Sequence, residues 1–162
     1  VTLIPEGYTL GTPTVSLPFM QNNYNPKGQP DDAIRLGSIK FESYGSNVGV
    51  ENGWALAHAT ITNTTTGSSV LDPTDAAVTA TCSATLHIWD ATSTDTYVIK
   101  VQHSTNDSSW SDLITFSANG TSLTAERQAV ASGTVNKYRR VVATRTGSAG
   151  DTLGYTVHFQ HQ

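Results

Sequence analysis

The sequence predicts an all-β protein, an antiparallel β-sandwich of jelly-roll or Ig-like type with an extended, Pro-rich N-terminal arm. Two observations predict it. From Trp54 onward, short segments of alternating apolar and polar residues recur at spacings of roughly 8–15 residues, separated by turns rich in Gly, Asn and Ser. Before that point, five of the six prolines lie within the first 30 residues. We therefore expect an arm with edge strands over residues 1–53 and the sandwich module over residues 54–162.

The N-terminal region is predicted to be extended because proline lacks the N–H group that a central strand needs. Residues 21–30 are rich in Asn, Gly and Pro and are predicted to form an exposed loop. Residues 39–44 alternate in polarity with a period of two, which predicts a half-buried strand.

Seven strands are predicted within the module, over residues 54–62, 85–89, 97–103, 112–117, 128–131, 137–143 and 154–160. The clearest is 97–103, in which Tyr97, Ile99 and Val101 share one face because alternate side chains of a strand point the same way. Only residues 123–130 also permit a helix, and it would be short.

The composition excludes several classes of protein. A net charge of −4 and a charged fraction of 14% argue against direct nucleic-acid recognition, because phosphate binding needs clustered Lys and Arg. No apolar run approaches the ~20 residues of a membrane-spanning helix. The lone Cys82 leaves no internal disulfide and no multi-Cys zinc site.

No catalytic residue, metal site or cofactor is expected. His158 and His161 are three residues apart and would point to opposite faces of a strand, so they cannot share one metal there. No Gly-x-Ser-x-Gly nucleophile motif and no phosphate-binding Gly-rich motif occurs, and most Asp residues fall in predicted turns. We expect a protein that is not an enzyme.

Trp110 and the Arg139–Arg140 pair are candidate functional residues. Trp110 follows the predicted hairpin turn at Asn106 and Asp107, and we interpret it as a structural anchor that packs on the core or under the turn. The alternative is that its ring stacks on a sugar. Arg139 and Arg140 point to opposite sides of a strand, so we expect one exposed guanidinium and one that is paired or at a subunit contact.

Apolar residues are scattered through the Pro-rich arm, and they are candidates for self-association. The arm could add to a sheet edge of a neighbouring subunit or wrap its own module. The self-association candidates are Tyr8, Phe19, Met20 and Tyr24 of the arm, together with Arg139 and Arg140.

Several motifs carry a family resemblance. They are VIKVQHS at residues 98–104, ND at 106–107, WSDLITF at 110–116, ER at 126–127 and GTVNKYRR at 133–140, with GWAL at 53–56, TG at 66–67, ATLHI at 84–88 and VHF at 157–159. Residues 50–162 thereby resemble a module of structural proteins from long-tailed bacteriophages. The resemblance implies a β-sandwich that ends tail-tube or major tail proteins, with related sandwiches on capsids, and it implies no catalytic residues.

We therefore expect a non-enzymatic virion structural protein of a tailed phage, self-assembling as part of the tail tube or tail surface. The expected partners are further copies of the chain and other virion proteins, with no membrane span. The expected location is the virion, assembled in the bacterial host cytoplasm. A capsid decoration protein, a carbohydrate-binding or host-adhesion β-sandwich and a hydrolase are the alternatives.

Overall fold

A computed structural model describes residues 2–3, 10–11, 13–16, 51–72, 77–91, 94–148 and 150–161. These residues contain eleven strands and no helix, so the all-β prediction is confirmed for them. The strands are β1 (Thr2–Leu3), β2 (Pro13–Ser16), β3 (Glu51–Ile61), β4 (Thr65–Thr66), β5 (Val70–Leu71), β6 (Val78–Ala91), β7 (Thr96–Ser104), β8 (Ser111–Thr115), β9 (Thr124–Val135), β10 (Tyr138–Thr146) and β11 (Leu153–His161).

The strands form two antiparallel sheets. The six-stranded sheet has the order β1-β2-β3-β11-β6-β9, and the five-stranded sheet has the order β4-β10-β7-β8 with β5 also paired to β10. The pairing of β2 with β3 joins residues 13–16 of the N-terminal region to the chain's own six-stranded sheet. Asn136 and Lys137 connect the two sheets, because β9 ends at Val135 and β10 starts at Tyr138.

One apolar core receives side chains from both sheets. On β7, Tyr97, Ile99 and Val101 are fully buried, whereas Val98 between them is 42% exposed, as the alternation predicted. Leu86 of β6 and Val157 of β11 belong to the same core cluster from the six-stranded sheet. The face of each sheet that carries these residues is called the inner face below, and the opposite face is called the outer face.

The seven predicted strands of the module occur, and two of them are much longer than predicted. Strand β6 begins at Val78 rather than at residue 85, and β9 occupies Thr124–Val135, so the helix that residues 123–130 also permitted does not form. The predicted loop at 21–30, the predicted strand at 39–44 and the four apolar arm candidates, Tyr8, Phe19, Met20 and Tyr24, lie outside the described residues.

Two register shifts interrupt the central ladders of the six-stranded sheet. Val157 pairs with Ala57 but His158 pairs with Ala55, so Leu56 is an extra residue in β3. Leu56 and Trp54 both pack with the core, whereas His58 is exposed and bonds to Thr156 of β11. A bulge of this kind re-aims side chains in a way that strict alternation does not predict.

The carboxylate of Glu126 holds the connection between β8 and β9 in place through hydrogen bonds. Glu126 of β9 accepts hydrogen bonds from the backbone N–H groups of Ser117 at 2.8 Å and Ala118 at 2.6 Å, and from the Gln128 side chain. Burial alone would raise the pKa of Glu126, but these hydrogen bonds favour the ionised form more strongly and hold its pKa below the usual value.

We expect Glu126→Gln to lower the free energy of unfolding by about 1–2 kcal/mol at neutral pH, because bonds to a charged acceptor are lost. Since the folded pKa is depressed, the stabilisation is present above the unfolded pKa and is lost as pH falls through the folded pKa. Urea unfolding at several pH values measures this. As pH falls below about 5, the free energy of unfolding should decrease less for the variant than for the parent. Parallel pH profiles would contradict the role given to ionised Glu126.

In the part of the chain that the structure describes, no helix is long and apolar enough to cross a membrane.

Candidate functional site

Five side chains form a continuous polar network on the outer face of the five-stranded sheet. We call this surface the Arg140 face, and it consists of Lys100, Gln102, Trp110, Asp112 and Arg140. In the register of β7 and β10, Arg140 lies opposite Gln102, and both Nε and Nη2 of Arg140 donate to the Gln102 side-chain oxygen, at 3.0 and 2.9 Å. The Arg140 guanidinium lies 4.1 Å from the centroid of the Trp110 ring, a cation–π contact.

The network continues across β7 to β8 through Asp112. One oxygen of Asp112 accepts a hydrogen bond from Lys100 Nζ at 2.6 Å, and the other accepts one from Gln102 Nε2 at 2.8 Å. The bond from Lys100, with help from Gln102, lowers the pKa of Asp112. Both ends of the Lys100–Asp112 pair are about one-third exposed or more, so solvent screening leaves little net stability in it. Its effect is to orient Gln102, which in turn orients Arg140.

Trp110 is half-buried and lies outside the apolar core cluster. The three other apolar residues of its segment pack inward: Ile114 and Phe116 are core residues, and Leu113 packs partly against the core. The ring of Trp110 is instead covered on one side by Arg140. The anchoring contact that the structure gives Trp110 is therefore a surface contact with an arginine.

Arg139 is the paired member of the two adjacent arginines. It is 1% exposed, and its Nη2 donates to Oδ2 of the equally buried Asp72 at 2.6 Å. Burial lowers the pKa of Arg139, and the bond and charge of Asp72 oppose that shift. Arg139 is thus committed to the interior of its own chain, and Arg140 is the arginine that reaches the surface.

The carboxylate of Asp72 also binds His161. Nε2 of His161 lies 2.8 Å from Asp72 Oδ2, and the imidazole stacks on Trp54 with ring centroids 5.2 Å apart. The Arg139 guanidinium lies 5.4 Å from the Trp54 ring and 5.0 Å from the Phe159 ring. A buried ion pair is costly to desolvate unless its remaining atoms are partnered. The histidine partners the carboxylate, and the two aromatic rings contact the guanidinium, while Arg139 Nε has no hydrogen-bond partner within the described residues.

The far end of β10 carries a second pair of this kind. Nε of Arg145 donates to Oδ2 of Asp95 at 2.6 Å, and the backbone N–H of Gly150 donates to the same oxygen at 3.2 Å. Asp95 is 3% exposed and precedes β7, while Gly150 lies between β10 and β11. The pair therefore joins two connections at one end of the fold.

The thiol of Cys82 does not supply a reactive nucleophile. Cys82 pairs in register with His161, which places a cysteine, a histidine and Asp72 on neighbouring elements. However, Cys82 is 2% exposed, and burial raises its thiol pKa above the usual value. Reactive cysteines need a lowered pKa and access to substrate, and this one has neither.

No three His, Cys, Asp or Glu side chains come together to hold a metal ion within the part of the chain that the structure describes. His161 faces the core side of β11 with Phe159, and His158 lies on the other face, as their odd spacing predicted.

Sequence reasoning selected Trp110, Arg139 and Arg140 but missed Asp72, Gln102 and Asp112. Asp72 precedes a proline, a pattern typical of a turn, and its bond to Arg139 spans 67 positions of sequence. The sequence does carry one signal for the buried ion pairs. In β10 the two arginines, Arg139 and Arg145, lie on the same face as Val141 and Ala143, which indicates that both arginines point inward.

No protein-family model matches the chain, and no curated protein or solved structure is significantly similar to it.

Proposed function

We propose that this chain is a non-enzymatic structural protein of a tailed-phage virion, which self-assembles as part of the tail tube or tail surface through its Arg140 face. The two sheets would form a sandwich of jelly-roll or Ig-like type, and residues 1–53 would be its Pro-rich arm. The partners would be further copies of the chain and other virion proteins. Assembly would take place in the bacterial host cytoplasm.

The observation that supports this most is where the phage-like motifs lie. The segment at residues 98–104 is in β7, the segment at 110–116 contains β8, and the segment at 133–140 leads into β10. These three strands are neighbours in the five-stranded sheet. Residues from all three build one network, since Gln102 bonds to both Asp112 and Arg140, and Arg140 covers Trp110.

The chemistry of the Arg140 face suits a protein contact. Its one carboxylate is paired with Lys100 and Gln102, so less desolvation is required on association than for isolated charges. Arg and Trp are enriched in interface hot spots, where they contribute much of the binding free energy. Apolar side chains border the network, with Val98 42% and Leu71 49% exposed. Pre-orientation of Arg140 by Gln102 reduces the entropy lost on binding.

We expect Arg140→Glu to raise the concentration needed for assembly by about tenfold or more, because it reverses a hot-spot charge and removes the contact with Trp110. Light scattering coupled to size exclusion, with electron microscopy of the particles, measures assembly. Arg127→Glu is the matched control, since it makes the same charge change at an exposed position of β9 in the other sheet.

The proposal fails if the full chain stays monomeric at high concentration, or if the Arg140 and Arg127 variants assemble equally well. Thermal melting of each variant separates a loss of assembly from a loss of folding.

A further inference from the structure

A bulge in β6 places two side chains of different chemistry on the same face of the six-stranded sheet. Gly154 of β11 pairs with Asp90 and Tyr155 pairs with Ile88, so Trp89 is the extra residue of the ladder. In a regular strand Trp89 and Asp90 would point to opposite faces. Here a Cβ on Gly154 would come within 2.7 Å of both Asp90 Cβ and Trp89 Cε3. Both side chains therefore lie over this glycine, on the outer face.

The position of Trp89 is fixed although the side chain is 46% exposed. Its six-membered ring occupies the space that any side chain at residue 154 would fill. The imidazole of His58 stacks on the indole, with centroids 5.5 Å apart and ring planes at 29°. His58 is itself oriented by a 2.8 Å hydrogen bond between its Nδ1 and Thr156 Oγ1. The rest of the indole faces solvent from a rigid support.

We propose that Trp89 and Asp90, with His58 beside them, form a binding site for hexopyranose units of a polysaccharide. The C–H face of a pyranose ring packs on an exposed indole, and a carboxylate next to the indole accepts hydrogen bonds from the sugar hydroxyls. A few well-placed polar groups beside an apolar surface are typical of small-molecule sites. Since the ring is already held by Gly154 and His58, binding costs little ordering entropy.

An indole bordered by a carboxylate favours a sugar over an apolar partner. Leu123, 68% exposed, is the next apolar side chain beside the indole, because Thr124 pairs with Ile88. A protein contact of standard size requires roughly 800 Å² on each side, far more than these two side chains offer. This site differs from the sugar platform considered at Trp110, whose ring is covered on one side by Arg140. It also lies on the other sheet from the Arg140 face, so it is independent of the proposed assembly contact.

The test uses the full chain on an array of hexopyranose oligosaccharides, followed by titration calorimetry with the best oligosaccharide. We expect Trp89→Ala to weaken binding by about tenfold or more, as for loss of a hot-spot tryptophan. Asp90→Asn should weaken it several-fold while leaving the ring in place. Leu10→Ala is the control, because it removes another exposed apolar side chain, 38% exposed, next to Gly11, which lies near Val70 of β5 in the other sheet.

The inference is overturned if the folded chain binds no oligosaccharide on the array, or if Trp89→Ala and Leu10→Ala bind equally well. Should Trp89→Ala melt at a much lower temperature, Asp90→Asn decides, because unchanged affinity in that variant also overturns the site. Assembly of the Trp89 variant is measured in parallel. If the Trp89 variant assembles normally but no longer binds sugar, the result supports this site independently of the Arg140 face. A loss of assembly would concern the proposed function and not the sugar site.

Discussion

Replacing Asp72 with alanine is expected to lower the free energy of unfolding by about 3–5 kcal/mol, because it leaves a buried arginine without its counter-charge. Arg139 is 1% exposed, and its Nη2 bonds to Asp72, as does Nε2 of His161. That loss is a large share of the ~5–15 kcal/mol that a domain of ordinary stability has. Urea unfolding followed by tryptophan fluorescence measures it.

The double variant Asp72→Ala with Arg139→Met is the control for this prediction. Removing both charges relieves the unpaired cation, so the double variant should be more stable than Asp72→Ala alone. If the single variant falls within about 1 kcal/mol of the parent, the Asp72–Arg139 pair is not the structural element that its burial indicates.

Gly147→Ala is expected to lower the free energy of unfolding by about 2–4 kcal/mol, from backbone strain and from displacement of a buried carboxylate. The φ angle of Gly147 is +131°, a region that side chains disfavour. A Cβ there would overlap Oδ1 of Asp95, whose other oxygen is held by Arg145. Asp95 cannot retreat without loss of this pair.

Gly150→Ala is the matched control, because Gly150 also has a positive φ of +76° but has nothing within 4 Å of its Cβ position. It should cost only the strain of a left-handed residue, about 1–2 kcal/mol. Chemical denaturation compares the two variants. Equal losses would mean that strain alone accounts for Gly147 and that Asp95 moves freely.

The sequence predicts strands well where apolar side chains alternate on the inner face. Strand β7 shows this, since its inner residues are large and apolar and its outer residues are mostly polar. Strand β6 was predicted to be shorter because its inner face begins with small residues, Cys82 and Ala84, which give weak periodicity. Strand β9 was less clear still, because it is an edge strand with Glu126 and Gln128 in place of apolar residues.

Features that depend on pairing between distant strands could not be read from the sequence. The bulge that turns Trp89 and Asp90 to the same face exists only in the ladder with β11. Alternation within β6 predicts the opposite arrangement. The bond from Arg139 to Asp72 similarly requires β5 to lie against β10, where Val70 is opposite Arg139. Local pattern carries no information on either contact.

The two arginine–aspartate pairs restrict how β10 can align with its neighbours during folding. Arg139 and Arg145 lie about 20 Å apart on the same face, with only Val141 and Ala143 between them on that face. A shift of two residues in the register of β10 would keep its apolar face inward, so the hydrophobic pattern alone does not exclude it. It would, however, move one arginine into the apolar core and away from its aspartate. The arginine would then be an unpaired buried charge, which is strongly destabilising. Shifted registers of β10 are therefore much less stable than the native register, and a large gap in free energy separates the native pairing of this strand from the alternatives.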